Sequence, residues 1–151
     1  MIAWKYLDKK AAAVEAMKDY TAMKFIILDH EEDTEEVREK MTSIRSSAPT
    51  GVPHNTNPKA GETRLAAQID EIDVLKERYR SAAEYMAWFK PAWDELSEDE
   101  LFVLTEFYLN NDGSREESIS NICDRFTIER TSAYKKKDRA LAKLTVLLYG
   151  K

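Results

Sequence analysis

The longest regular run of apolar residues lies mid-chain. Leu65, Ile69, Ile72, Leu75, Tyr79, Ala83, Met86 and Phe89 step by three or four positions, the spacing that gathers side chains on one face of an α-helix. It predicts a helix from Glu62 to about Lys90, with a seam of the coiled-coil or helical-hairpin kind. Pro91 is expected to end or kink it, since proline lacks an N–H and disfavours helix in the residue before it. Earlier in the chain, Trp4, Leu7, Ala11 and Val14, resumed by Phe25 and Leu28, predict a helix over residues 3–28, with Lys18 and Thr21 interrupting its stripe. Val37, Met41 and Ile44 predict a further helix starting at Thr34. Residues 46–62, SSAPTGVPHNTNPKAGE, hold three of the four prolines and two of the four glycines and read as a loop or linker.

The C-terminal third has shorter elements. Ser97 and Glu100 have the spacing of a capping box, with Leu101, Leu104, Phe107 and Tyr108 as the apolar face behind it. NNDGS, residues 110–114, reads as a turn. Ser114 and Glu117 offer a second box ahead of Ile119, Ile122, Cys123 and Phe126. A tight break at Thr127–Glu129 precedes a last helix to about Tyr149, with Ala133, Ala140, Leu141, Leu144, Val146 and Leu147 as apolar positions. Short helix, tight turn and longer helix make a helix-turn-helix plan.

Charge sharpens this picture. The chain of 151 residues has a net charge of −5. Residues 115–151 nevertheless hold nine Lys/Arg and five Asp/Glu, net +4, against fourteen and twenty-three in residues 1–114, net −9. The acidic total hides a basic module. In the last helix Arg130 and Tyr134, and Thr131 and Lys135, lie one turn apart and away from Ala133, Ala140 and Leu144. A helix in a DNA major groove presents such residues to base edges and phosphates. Arg130 suits bidentate bonding to guanine and Thr131 a base or a thymine methyl. Tyr134 and Lys135 suit phosphate oxygens, and Lys136, Lys137 and Arg139 extend the basic surface.

Other chemistry finds little support. With one cysteine, Cys123, the chain has neither an intramolecular disulfide nor CxxC spacing. Cys123 lacks a base to activate it and reads as a packing residue. His30 and His54 have no ligand at metal-binding spacing and read as surface or loop histidines. There is no Gly-rich phosphate loop, GxSxG or HExxH, so neither an enzyme nor a cofactor is expected. No apolar run approaches the roughly 20 residues of a membrane helix, and the charged N-terminus is unlike a signal peptide. A cytoplasmic protein without a membrane partner is expected.

ISNICDRFTIERTSAYKKKDRALAKL resembles region 4 of sigma-70-type factors, whose helix-turn-helix reads roughly EIAxxLGxSxxTVxxxxxRALxxL. Ile122 and Cys123 take the IA places, Phe126 the L, Ser132 and Ala133 the TV, and Arg139, Ala140, Leu141 and Leu144 the RALxxL. Thr127 replaces the turn glycine and Glu129 the capping serine, which leaves room for a wider turn capped by Glu129. With the SAPTGVP loop and long helices ahead of it, the whole is similar to small phage and prophage transcriptional regulators of the RinA/ArpU type. That resemblance implies control of late phage genes.

The expectation is an all-α protein. A long helical hairpin, residues 1–93 with its linker at 46–62, would provide oligomerisation or partner contacts. A DNA-binding helix-turn-helix would occupy residues 97–151. Double-stranded DNA is the expected partner, with RNA polymerase and a second copy of the chain as further candidates. Two rival readings share the pattern: a small-terminase-like DNA-packaging protein, and a helical adaptor that does not bind DNA.

Overall fold

A computed structural model describes residues 8–46, 58–110 and 112–150, without the side chains at 31, 41, 43–46 and 58. The chain is all-α: α1 (Lys9–Ser46), α2 (Pro58–Asp94), α3 (Glu98–Leu104) continuing through a wide π-type turn (Thr105–Leu109), α4 (Arg115–Phe126) and α5 (Arg130–Tyr149). No strand occurs among the described residues. Positions 3–7 of the expected first helix, His54 and most of the expected linker lie outside them.

Each long helix outruns its apolar pattern. α1 starts where the Asp8 carboxylate accepts the Ala11 N–H at 3.1 Å, an N-cap. It passes straight through residues 29–33, where a break is expected. That acidic stretch contains no glycine or proline, and the Thr34 hydroxyl donates back to the His30 carbonyl at 2.8 Å. α2 begins at Pro58, inside the expected linker; proline suits a first turn because its missing N–H would have no partner there. It also continues beyond Pro91 to Asp94. The last turn is held by Ala92 and Trp93, buried in the core, and by Lys90 reaching Asp94 at 2.7 and 2.9 Å.

Packing divides the chain into two units, neither of which matches a cut near residue 95. One unit is Lys24–Glu84; the other joins the chain up to Met23 with Tyr85–Lys151. The physical reason lies in the core of the second unit. Ala13, Ala16 and Met17 of α1 cluster with Phe89, Ala92 and Trp93 of α2, Leu96, Leu104, and Ala140, Leu141 and Leu144 of α5. Small alanines let aromatic rings close in. Tyr20 lies 5.4 Å from both Phe89 and Trp93. Tyr85 donates its hydroxyl to the Ala16 carbonyl, and burial pushes its pKa up. The face of α1 in this core is therefore 13–16–17–20 with Val14 beside it, while Ala11, Phe25 and Leu28 of the expected line are exposed.

In Lys24–Glu84, His30 stacks on Tyr79 at 4.2 Å and Arg78 lies 3.7 Å from Asp33. His30 is thus half-buried within a helix instead of sitting in a loop. Thr34, Val37 and Ala82 are buried, while Phe25, Leu28, Ile69 and Val74 stay exposed, Leu28 at 70%. Of the predicted seam, Leu65, Ile72, Leu75 and Ala83 are half-covered here and Ile69 and Tyr79 exposed, while beyond Glu84 Met86 is half-buried and Phe89 fully buried.

The C-terminal helices form as their caps dictate. The Ser97 hydroxyl accepts the Glu100 N–H at 3.3 Å, and the Glu100 carboxylate accepts the Ser97 N–H at 2.9 Å, a complete capping box. Ser114 caps α4 by accepting the Glu117 N–H at 3.2 Å. Val103, Ile122 and Ala133 form a second buried cluster, flanked by Phe102, Phe107, Cys123, Phe126 and Ile128. Along α5, Val146 and Leu147 are exposed and Thr145 is buried in their place, its hydroxyl returned to the Leu141 carbonyl at 2.7 Å.

Candidate nucleic-acid interface

Three residues, Thr127–Glu129, separate α4 from α5. Thr127 has φ 52° and ψ 51°, the left-handed conformation that glycine adopts freely and a β-branched residue adopts at a cost. Its N–H and that of Ile128 both bond the Cys123 carbonyl, the latter at 3.1 Å, which closes α4. The turn is therefore no wider for lacking glycine. Glu129 stands at the N-cap of α5, but its carboxylate makes no capping bond, so the cap expected of it is not formed.

With Ala133 inward, the 100° step per residue distributes α5 around its axis. Arg130, Thr131, Lys135 and Arg139 are exposed, and Thr131, Lys135 and Arg139 follow one another at i, i+4 along one line. Arg130 comes within 4.0 Å of Glu116 at the start of α4. The remaining predicted residues fall off this line. Tyr134 is half-buried, edge-on to Phe107 at 5.6 Å. Lys136 is half-buried over the Phe126 ring at 4.2 Å. The Lys137 side chain is only 17% exposed; it lies 3.0 Å from Asp138 and 5.0 Å from the Phe107 ring centre. Three consecutive lysines span about 200° of a helix, so they do not share one face.

Two aromatic rings border α5. Phe107, from the π-type turn, takes Lys137 and, at 5.9 Å, Arg115 of α4. Phe126, at the end of α4, takes Lys136 and, at 5.9 Å, Arg125; Arg125 also lies 4.2 Å over Phe102. Lys143 is committed to Glu100, at 2.9 Å, which ties α5 to α3.

Comparison with known protein families, curated proteins and solved structures finds no match. The interface is thus defined by its own geometry. Ser132, exposed in the first turn of α5, shares the open end of the helix; the sequence marks it only as the motif's threonine position, not as a contact residue. Arg115 and Arg125 carry little signal because each is an isolated cation in α4 with an acidic residue on one side, Glu116 and Asp124 respectively. Cys123 is half-buried beside the second cluster, the packing position expected of it.

Proposed function

We propose that this chain binds double-stranded DNA sequence-specifically through the first half of α5 and regulates transcription. The supporting observation is the exposed line Thr131–Lys135–Arg139 on a helix entered from a three-residue turn. Lys135 and Arg139 carry no acidic partner among the described residues. Arg130 and Thr131, nearest the helix start, would read base edges; Lys135 and Arg139 would meet phosphates. The resemblance to RinA/ArpU-type regulators supports a prophage late-gene role in the cytoplasm.

Residues 1–96 carry no aromatic and basic region of the kind that holds a melted strand. The protein is therefore proposed as an activator that works with RNA polymerase through its acidic helices, not as a self-sufficient sigma factor. Self-association through Lys24–Glu84 belongs to the same proposal, supported by the exposed Phe25 and Leu28. A dimer in sedimentation supports it, and a monomer at high micromolar concentration refutes it.

Selection from a random duplex pool tests the central reading. One motif should be enriched, and affinity for it should fall steeply with salt. Enrichment of no motif, or salt-independent binding, contradicts the proposal. In transcription with core polymerase, this protein alone should open no promoter.

A further inference from the structure

The basic residues of the last three elements fall into two groups. Arg130, Lys137 and Lys143 each face a carboxylate: Glu116 at 4.0 Å, Asp138 at 3.0 Å and Glu100 at 2.9 Å. Arg115, Arg125, Lys135, Lys136 and Arg139 have no acidic partner among the described residues. Two of these five, Arg115 and Arg125, lie on α4, outside the helix that carries the basic run.

Both lie against aromatic rings. Each, at 5.9 Å, shares a ring with a lysine of α5, Arg115 with Lys137 on Phe107 and Arg125 with Lys136 on Phe126, and Arg125 lies closer still, 4.2 Å, over Phe102. Lys136 and Lys137 leave α5 on opposite sides of Ala133, about 100° apart, so the two rings border α5 on its two sides. A guanidinium on a ring face keeps its N–H groups directed outward, in the plane that receives a phosphate. It is also held in one place, which lowers the conformational entropy lost on binding. A duplex with α5 in its major groove, about 12 Å wide, presents one phosphate strand on each side of the helix.

We infer that Arg115, against Phe107, and Arg125, between Phe102 and Phe126, grip the two phosphate strands that flank α5, while Lys137 positions the Phe107 ring and contacts no phosphate. This inference rests on the DNA-binding reading and adds to it a backbone footprint shared between α4 and α5.

The test is the salt dependence of binding by the full chain to a fluorescent 30-base-pair duplex of mixed sequence. Five unpaired cations predict a slope of log affinity against log salt near −4.5, and each neutralised contact should reduce its magnitude by about 0.9. Arg115→Gln and Arg125→Gln, which keep most of each side chain's length, should each give that reduction, equal to that of Lys135→Gln. Arg125→Lys should retain the slope. Lys137→Gln should leave it unchanged, because Asp138 already neutralises that charge. Circular dichroism of each variant checks that the helices remain. Wild-type slopes for Arg115→Gln and Arg125→Gln, alongside a reduced slope for Lys135→Gln, overturn the inference and leave DNA binding standing. A wild-type chain that binds no duplex overturns both.

Discussion

At the scale of single residues, the turn before α5 gives the sharpest expectation. Thr127 holds a left-handed conformation, which costs a residue with a Cβ roughly 1–2 kcal/mol. Glycine would remove that cost but lose more freedom on folding. Thr127→Gly should therefore stabilise the protein by about 0.5–1 kcal/mol in urea unfolding; a destabilisation would mean that the threonine side chain supplies an interaction the geometry does not show. The sequence made this position legible by alignment with a motif whose turn residue is glycine. It misled at Lys136 and Lys137, because a triplet of lysines looks like one patch on paper and is spread over three directions by the helix. It misled again at Val146 and Leu147: hydrophobicity predicted burial, but Thr145 has the inward angle and can satisfy its hydroxyl within the helix.

The caps of the short helices are legible in the sequence and the bounds of the long helices are not. Caps are local chemistry, so Ser97, Glu100 and Ser114 could be identified from spacing alone. Ser97→Ala should cost about 1 kcal/mol, measured by urea unfolding at pH 7. Glu100 adds a pH dependence. Partial burial would raise its pKa, but the Ser97 N–H and the Lys143 ammonium outweigh that and hold the carboxyl below its ordinary value. A lowered folded-state pKa gives stability that is present above the ordinary value and lost as pH falls through the folded value. Glu100→Gln should thus be less stable than wild type at pH 7, and the gap should close under acid conditions near pH 3. A gap independent of pH would remove the ion-pair explanation. The continuity of α1 through its acidic stretch and of α2 through Pro91 was not legible. Tertiary burial of Ala92 and Trp93 outweighs the local cost of a proline.

For the molecule as a whole, the all-α class and the helix-turn-helix plan could be read from periodicity and turn residues. The division into units could not. The α1 face that enters the C-terminal core is built from Ala13, Ala16 and Met17, residues too small or too flexible to stand out beside Phe25 and Leu28, which remain exposed. The consequence for function is that α5 is supported along its length. Its first half packs through Ala133 on the second cluster, and its second half through Ala140, Leu141 and Leu144 on the first. Its outward line is thereby left free for a partner. Charge reversal on that line tests the central claim most directly, since exposed side chains can be changed without disturbing the core. Binding of the selected duplex by Lys135→Glu/Arg139→Glu should be lost, with thermal unfolding close to wild type. Undiminished affinity and sequence preference in that double variant would contradict the account.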